Sequence, residues 1–284
     1  MKAILLILVF CNSYYSSLPQ SRIANLPIFE QLWVSEKSFK CPESVIYDEV
    51  NNVVYISNIN GDPSEKDGNG FISRLNPCGT IEKLKWITGL NAPKGMGLYQ
   101  NKLYVADINE VIEISVNEGK VVRRYKANTA SFLNDVAISE NGDIYISDTK
   151  NNVVFCLKNG KMEQWLSSGQ LNSPNGLLAE KGFLLIGCDG YLIKAEYTNK
   201  KISRFITDTD YIDGIVSIDK GFYLVSDFLG VVNLVHPDIK RAMIIDLSSK
   251  GMMAADIDLI KKDNILLIPT FEDNRVVAYK VKIP

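Results

Sequence analysis

The sequence predicts an all-β protein, a six-bladed β-propeller with four antiparallel strands in each blade. Three observations predict it: a repeat with a period of about 40 residues, two apolar strands and a turn within each copy, and an N-terminal strand that supplies what the last copy lacks. We expect one propeller domain over residues 29–284, because closed β architectures of this length often form a single unit.

Six copies of the repeat follow one another along the chain. They span residues 43–58, 94–107, 134–148, 175–189, 213–227 and 255–270, and their first residues lie 51, 40, 41, 38 and 42 positions apart. The long first interval contains the polar insertion NGDPSEKDGNG, which we expect to form a loop that caps the channel mouth. Each copy has a short apolar strand, a turn such as ENGD or DKG, and a second apolar strand, and two further strands follow.

The two ends of the chain are predicted to meet in one blade. The last copy ends at Pro284 without a fourth strand, whereas FEQLWVS at 29–35 resembles the fourth strands IEKLKWI and KMEQWLS. We therefore expect the N-terminal strand to complete the last blade and close the ring. An eight-bladed ring or a β-solenoid is the alternative, but neither the length nor the number of copies favours it.

Charge and the N-terminal segment limit the class of function. With 31 Lys and Arg against 33 Asp and Glu, no basic excess is present to attract nucleic acid. The start, MKAILLILVFCNSYYSS, has the layout of a secretory signal over about residues 1–18, so we expect a secreted or periplasmic protein without a transmembrane segment. A lipid anchor at Cys11 is a second interpretation, which the bulky Phe10 before it disfavours.

The remaining cysteines give no sign of zinc. Cys41, Cys78, Cys156 and Cys188 form no CxxC pair and have no histidine partners. Cys156 and Cys188 lie in apolar strands and are predicted to be buried thiols. A disulfide between Cys41 and Cys78 would suit an oxidising compartment, but the sequence leaves the pairing open.

The first residue of each copy is predicted to line one mouth of the central channel, because the first strand of a propeller blade faces the axis. These lead residues are Glu43, Lys94, Asn134, Asn175, Asp213 and Ala255. Four of them carry oxygen donors, and bare charge in a low-dielectric channel is costly. A divalent cation would satisfy them, and calcium suits a set of carboxylate and amide oxygens.

The motifs PES (42–44), LND (133–135), PNG (174–176) and IDG (212–214), in that order, resemble the regucalcin/gluconolactonase (senescence-marker-protein/gluconolactonase/luciferin-regenerating) family. The resemblance extends from about Gln31 to Val281. It implies a catalytic divalent metal, most simply Ca²⁺, held by Glu43, Asn134, Asn175 and Asp213. It also implies hydrolysis of lactones or related esters, with Asp213 as the base or nucleophile, so that a small lactone or ester is the expected partner.

Two lead positions depart from that pattern and are candidates for substrate binding. The Lys94 ammonium would repel a cation, dock an anionic substrate, or pair with Glu43 or Asp213 so that no metal binds. Ala255 leads the last copy, which leaves Asp256 as the ionisable group on that side. A non-catalytic propeller that binds a ligand or a protein at the same channel mouth is the alternative function, since propellers serve many functions.

Overall fold

The computed structural model describes residues 27–219 and 221–282, which form a ring of antiparallel sheets. Twenty-two strands occur in this part of the chain: β1 Ile28–Val34, β2 Pro42–Asp48, β3 Val53–Asn58, β4 Gly70–Leu75, β5 Ile81–Leu90, β6 Pro93–Tyr99, β7 Lys102–Asp107, β8 Glu110–Ser115, β9 Lys120–Lys126, β10 Leu133–Ile138, β11 Ile144–Asp148, β12 Val153–Lys158, β13 Lys161–Ser167, β14 Leu177–Glu180, β15 Phe183–Glu196, β16 Ile202–Asp219, β17 Phe222–Asp227, β18 Val231–His236, β19 Lys240–Asp246, β20 Asp258–Ile260, β21 Ile265–Pro269 and β22 Val276–Lys282. Three single 3₁₀ turns, Ser248–Lys250, Lys261–Asp263 and Phe271–Asp273, are the helical elements of these residues.

The strands are grouped into five sheets, and the prediction of six separate four-stranded blades is wrong. Four sheets have four strands each, in the orders β2-β3-β4-β5, β6-β7-β8-β9, β10-β11-β12-β13 and β1-β22-β21-β20, whereas β14 to β19 form one six-stranded sheet. The cause is continuous pairing: β15 and β16 run for 14 and 18 residues, and the pair Asp189↔Tyr211 joins what were predicted to be two blades. The fourth and fifth copies of the repeat therefore share a sheet.

The strands of residues 27–219 and 221–282 form five sheets, so this part of the chain has no sixth blade for the N-terminal strand to complete. In the described residues β1 is the outer strand of the fifth sheet and pairs antiparallel with β22, from Ile28↔Lys282 to Val34↔Val277. The innermost strands contact one another in sequence, and β2 contacts β20, so the ring is closed.

Burial decreases from the channel outwards, as expected for a propeller whose apolar faces pack between neighbouring sheets. β3 (VVYISN) is buried at every position, whereas the outer strand β9 (KVVRRYK) has mostly exposed or half-buried residues. Tryptophans of the outer strands pack against tyrosines of the same sheet: Trp86 stacks on Tyr55 at 4.8 Å between ring centroids, and the Trp165 and Tyr145 centroids are also 4.8 Å apart.

The other predictions have separate outcomes. Cys41, Cys78, Cys156 and Cys188 are free thiols in the structure, so Cys41 and Cys78 are not joined. Cys188 is buried and Cys156 half-buried. No helix among the described residues is long and apolar enough to cross a membrane. The predicted signal over residues 1–18 and the Cys11 anchor lie outside the described residues.

Candidate functional site

The first two residues of each copy are here called the lead pair, and four of the six lead pairs stand at irregularities in the strand pairing. In four copies two lead residues oppose a single residue of the next strand, which is the geometry of a β-bulge. The lead pairs at these bulges are Glu43–Ser44, Lys94–Gly95, Asn134–Asp135 and Asp213–Gly214. Because a bulge turns a side chain away from the regular alternation, it explains how a charged residue is placed at the start of a buried strand.

A serine on the opposing strand satisfies the backbone of three of these bulges. The N–H groups of Ser44, Asp135 and Gly214 donate to the Oγ atoms of Ser57, Ser147 and Ser226, at 2.9, 2.9 and 2.8 Å. A buried N–H left without an acceptor would cost about 1–3 kcal/mol, so the serines stabilise the irregular backbone. The Ser-Asn and Ser-Asp pairs in VVYISN, IYISD and YLVSD are the sequence signal for this arrangement.

Glycines allow neighbouring lead pairs to approach closely. A Cβ atom on Gly176 would lie 2.3 Å from the backbone oxygen of Asp213, and one on Gly214 would lie 2.4 Å from the backbone nitrogen of Ile257. Such contacts are far inside van der Waals distance, so only glycine fits at these two positions. The short separation brings the side chains of Asn175 and Asp213 together.

The four residues predicted to hold a metal belong to the lead pairs, and all four are buried. Asn175 Nδ2 donates to Asp213 Oδ1 at 2.6 Å, and Asn134 Nδ2 donates to Thr149 Oγ1 at 3.1 Å. Glu43 is only 5% exposed. Its Oε2 atom and Asn134 Oδ1 are buried and have no hydrogen-bond partner in the structure. Two of the predicted ligands thus present unpaired oxygen atoms, each a cost of about 1–3 kcal/mol unless something binds them.

The carboxyl groups of the site influence one another strongly. Burial raises the pKa of Glu43 well above its usual value, and Asp213 raises it further. Burial also raises the pKa of Asp213 to about 7, although the hydrogen bond from Asn175 opposes this shift. Two carboxyl groups with raised pKa values in one buried site would be relieved by a cation.

The Lys94 ammonium makes its hydrogen bonds outside the set of four predicted ligands. The residue is 2% exposed, and Nζ donates to the backbone oxygens of Pro63 and Ala92 at 3.0 and 3.1 Å. Nζ also lies 4.3 Å from the centroid of the Phe132 ring. Burial lowers the pKa of Lys94 to about 8, although the negative charge of Glu43 acts to raise it. Within the described residues Lys94 forms no ion pair with Glu43 or Asp213, so the predicted pairing is not the arrangement found.

The polar insertion is attached to the channel mouth by two lysines. Pro63, which accepts from Lys94, lies in this insertion, and Lys150 Nζ approaches Ser64 Oγ at 3.3 Å. Both lysines contact the face of Phe132. The insertion therefore extends from the first sheet to the third, where it lies beside the Asn134 lead pair.

Asp256 lies at the junction between the last and first copies. Its Oδ2 atom accepts from Ser44 Oγ at 2.6 Å, and its backbone N–H donates to the backbone oxygen of Glu43 at 2.9 Å. Asp256 and Asp135 also line a cavity of about 240 Å³, and none of the four predicted metal ligands does. The walls of this cavity are mainly apolar residues that follow the lead pairs. Its position supports a role for Asp256 in the ring junction; substrate binding by Asp256 stays a prediction.

Three residues belong to the site but were not predicted. Asp135 accepts hydrogen bonds from the backbone N–H groups of Val136 and Leu177, both at 2.6 Å, and so links the third sheet to the fourth. Burial and the neighbouring Asp213 raise the pKa of Tyr211 to about 12. Thr149 connects Asn134 to the Pro174 carbonyl. No repeat in the sequence marks Thr149 or Tyr211, because each occurs in one copy only.

The donor set of two carboxylates and two amides fits a hard cation of calcium type, and two of its oxygen atoms, Glu43 Oε2 and Asn134 Oδ1, are unpaired. No group of three or more His, Cys, Asp or Glu in residues 27–219 and 221–282 is arranged to hold a metal. A site here would therefore depend on the amide oxygens of Asn134 and Asn175.

No model of a protein family matches the sequence, and no curated protein sequence matches it. Solved structures are similar in fold. One is a streptogramin B lyase, with a TM-score of 0.66 and 13% identity, covering 90% of this chain and 98% of that one. Another is a catalytically inactive virginiamycin B lyase from Staphylococcus aureus with quinupristin, with a TM-score of 0.64 and 12% identity, covering 89% and 99%.

The WD40 β-propeller domain of Doa1 is also similar, with a TM-score of 0.62 and 13% identity over 83% of this chain and 77% of that one. At these identities the similarity concerns the fold alone, and it identifies the chain as a β-propeller protein. Neither the sequence comparisons nor the similar structures support the regucalcin/gluconolactonase family in particular, so that resemblance stays a prediction.

Proposed function

We propose that the chain is an exported, calcium-dependent hydrolase of lactones or related esters. The observation that carries the proposal is the pair of unpaired buried oxygens, Glu43 Oε2 and Asn134 Oδ1, within the set of four residues that the sequence predicts as ligands. A pure scaffold has no reason to keep such costly atoms at the first strand of separate sheets. The resemblance to the regucalcin/gluconolactonase family supports the reaction class, and the predicted N-terminal signal supports export.

In this proposal Glu43, Asn134, Asn175 and Asp213 hold the cation, which when bound supplies Lewis acidity toward the substrate carbonyl. Asp213 is the base or nucleophile. As a base it takes a proton from the attacking water. The hydrogen bond from Asn175 holds the Asp213 carboxyl in place. The buried surroundings strengthen each electrostatic interaction with the reacting carbonyl.

The test is hydrolysis of a panel of lactones and aryl esters by the purified protein, with and without a calcium chelator. We expect turnover that the chelator removes and added calcium restores. The matched variants are Asp213→Asn and Asp189→Asn, since Asp189 ends a second strand in another copy and is exposed. Loss of turnover in the first variant alone supports the proposal, whereas turnover that is insensitive to chelator and to Asp213→Asn contradicts it.

The alternative is a propeller that binds a ligand or a protein at the channel mouth without turnover. The insertion of residues 60–70 favours it, because Lys94 and Lys150 hold that segment across the edge of the site. Calcium binding without hydrolysis of any substrate in the panel would favour this function over the hydrolase.

A further inference from the structure

Thr149 connects the two lead pairs that carry amides. It follows Asp148 at the end of β11, and its Oγ1 atom accepts from Asn134 Nδ2 at 3.1 Å and donates to the backbone oxygen of Pro174 at 2.9 Å. Pro174 directly precedes Asn175. One hydroxyl therefore joins the third and fourth copies of the repeat at the candidate site.

The hydrogen bond to Pro174 determines which end of the Asn134 amide faces Thr149. A hydroxyl has one proton and two lone pairs, and a carbonyl oxygen such as that of Pro174 can only accept. Because the single proton is used there, Thr149 Oγ1 can only accept from its second partner. The NH₂ group of Asn134 must then face Thr149, and Oδ1 must face the opposite way.

This orientation has an energetic cost that needs an explanation. Asn134 Oδ1 is buried without a partner, as is Glu43 Oε2. An unsatisfied buried oxygen costs about 1–3 kcal/mol, and rotation of the amide would be the simplest relief if Thr149 did not prevent it.

We propose that Thr149 is a positioning residue that fixes the Asn134 carboxamide with its oxygen toward the cation. The identity of the cation as calcium rests on the proposed function, whereas the orientation of the amide does not. Thr149 touches neither the cation nor the substrate and acts only through Asn134.

The experiment combines NMR of the calcium-free protein with calcium titration of Thr149→Val and Thr149→Ser. In the calcium-free wild type we expect a nuclear Overhauser effect between the Asn134 amide protons and the Thr149 methyl group. Thr149→Val keeps the shape of the side chain and removes the acceptor, and we expect calcium affinity to fall roughly 10- to 100-fold, the usual effect of losing a residue that orients a ligand. Thr149→Ser keeps the hydroxyl and should bind within about threefold of wild type.

Asn134→Asp provides a test that a merely structural role would not pass. Aspartate offers an oxygen in either orientation, so Thr149→Val in the Asn134→Asp background should change calcium affinity by less than about threefold. An equal loss in both backgrounds would show that Thr149 acts by another route and would overturn the inference. A wild type that shows the Overhauser effect but no calcium response contradicts the proposed function and leaves the amide orientation supported; absence of the effect overturns the orientation itself.

Discussion

Ser226 Oγ accepts a hydrogen bond from the backbone N–H of Gly214 at 2.8 Å and donates one to the Ala255 oxygen at 2.7 Å. The hydroxyl thus satisfies the bulge that presents Asp213 and also joins it to the next copy of the repeat. Both partners are buried, so water cannot replace the serine without rearrangement. The position of the candidate base depends on this contact.

Ser226→Ala should lower the free energy of unfolding by about 1–3 kcal/mol, because it leaves a buried donor and a buried acceptor unsatisfied. Urea unfolding monitored by tryptophan fluorescence measures the change. Ser249→Ala is the matched control: Ser249 is exposed, and its hydroxyl contact with Asp246 is 3.5 Å long. Equal stability of the two variants would contradict the role assigned to Ser226.

Gly176→Ala should destabilise the protein by about 1–3 kcal/mol, the usual cost of an atom forced into a packed interior. The added Cβ would lie 2.3 Å from the Asp213 oxygen and would push the Asn175 and Asp213 lead pairs apart. Gly169→Ala is the control, because no atom lies within 4 Å of its added Cβ, and its stability should change by less than about 0.5 kcal/mol. Thermal unfolding of both variants measures the two changes in stability, and an equal change in both would contradict the prediction.

The repeat places Glu43, Asn134, Asn175 and Asp213 at equivalent positions, and the structure buries all four at the start of their copies. Their roles in binding a metal or substrate stay predictions, whereas the sheet boundaries differ from the prediction. Sheet boundaries depend on whether pairing continues through a corner, and the pair Asp189↔Tyr211 continues it where the repeat suggests a break. Hydrogen bonds between copies, such as that from Thr149, follow no repeat and need coordinates.

The stability of the calcium-free protein should fall as the pH rises from about 4 to about 7. Burial raises the pKa of both Asp213 and Asp135 from the ordinary 3.8 to about 7. Between these values the folded chain retains protons that the unfolded chain has lost, so rising pH favours unfolding. Urea unfolding in EDTA at pH 5 and pH 7.5 should differ by about 1 kcal/mol or more, since one pKa unit corresponds to 1.36 kcal/mol.

Asp213→Asn is the control for this pH dependence. It removes one of the two carboxyl groups, so the difference between the two pH values should become smaller than in the wild type. Stability that increases from pH 5 to pH 7.5 in the wild type would mean that these carboxyl groups do not retain their protons in the folded state.

Calcium should raise the melting temperature of the wild type. At a calcium concentration one hundred times Kd, the stabilisation is about 2.7 kcal/mol, which corresponds to a rise of roughly 5 °C or more for a domain of this size. Asp213→Asn and Asn175→Ala each remove a predicted ligand and should abolish the rise, as differential scanning fluorimetry would show. No shift in the wild type at millimolar calcium would eliminate the metal from the proposed function.

Lys94→Met should release the insertion and tighten calcium binding at the same time. The substitution removes the donor to the Pro63 oxygen. It also removes a positive charge that interacts with Glu43, since Glu43 raises the pKa of Lys94. We expect faster trypsin cleavage after the exposed Lys66 and a larger rise in melting temperature with calcium. Lys150→Met is the comparison, because Lys150 contacts the insertion through Ser64, and it should speed cleavage without changing the calcium response. If instead Lys94→Met weakened the calcium response while cleavage stayed slow, Lys94 would support the ligand set directly, and its contact with Pro63 would be incidental.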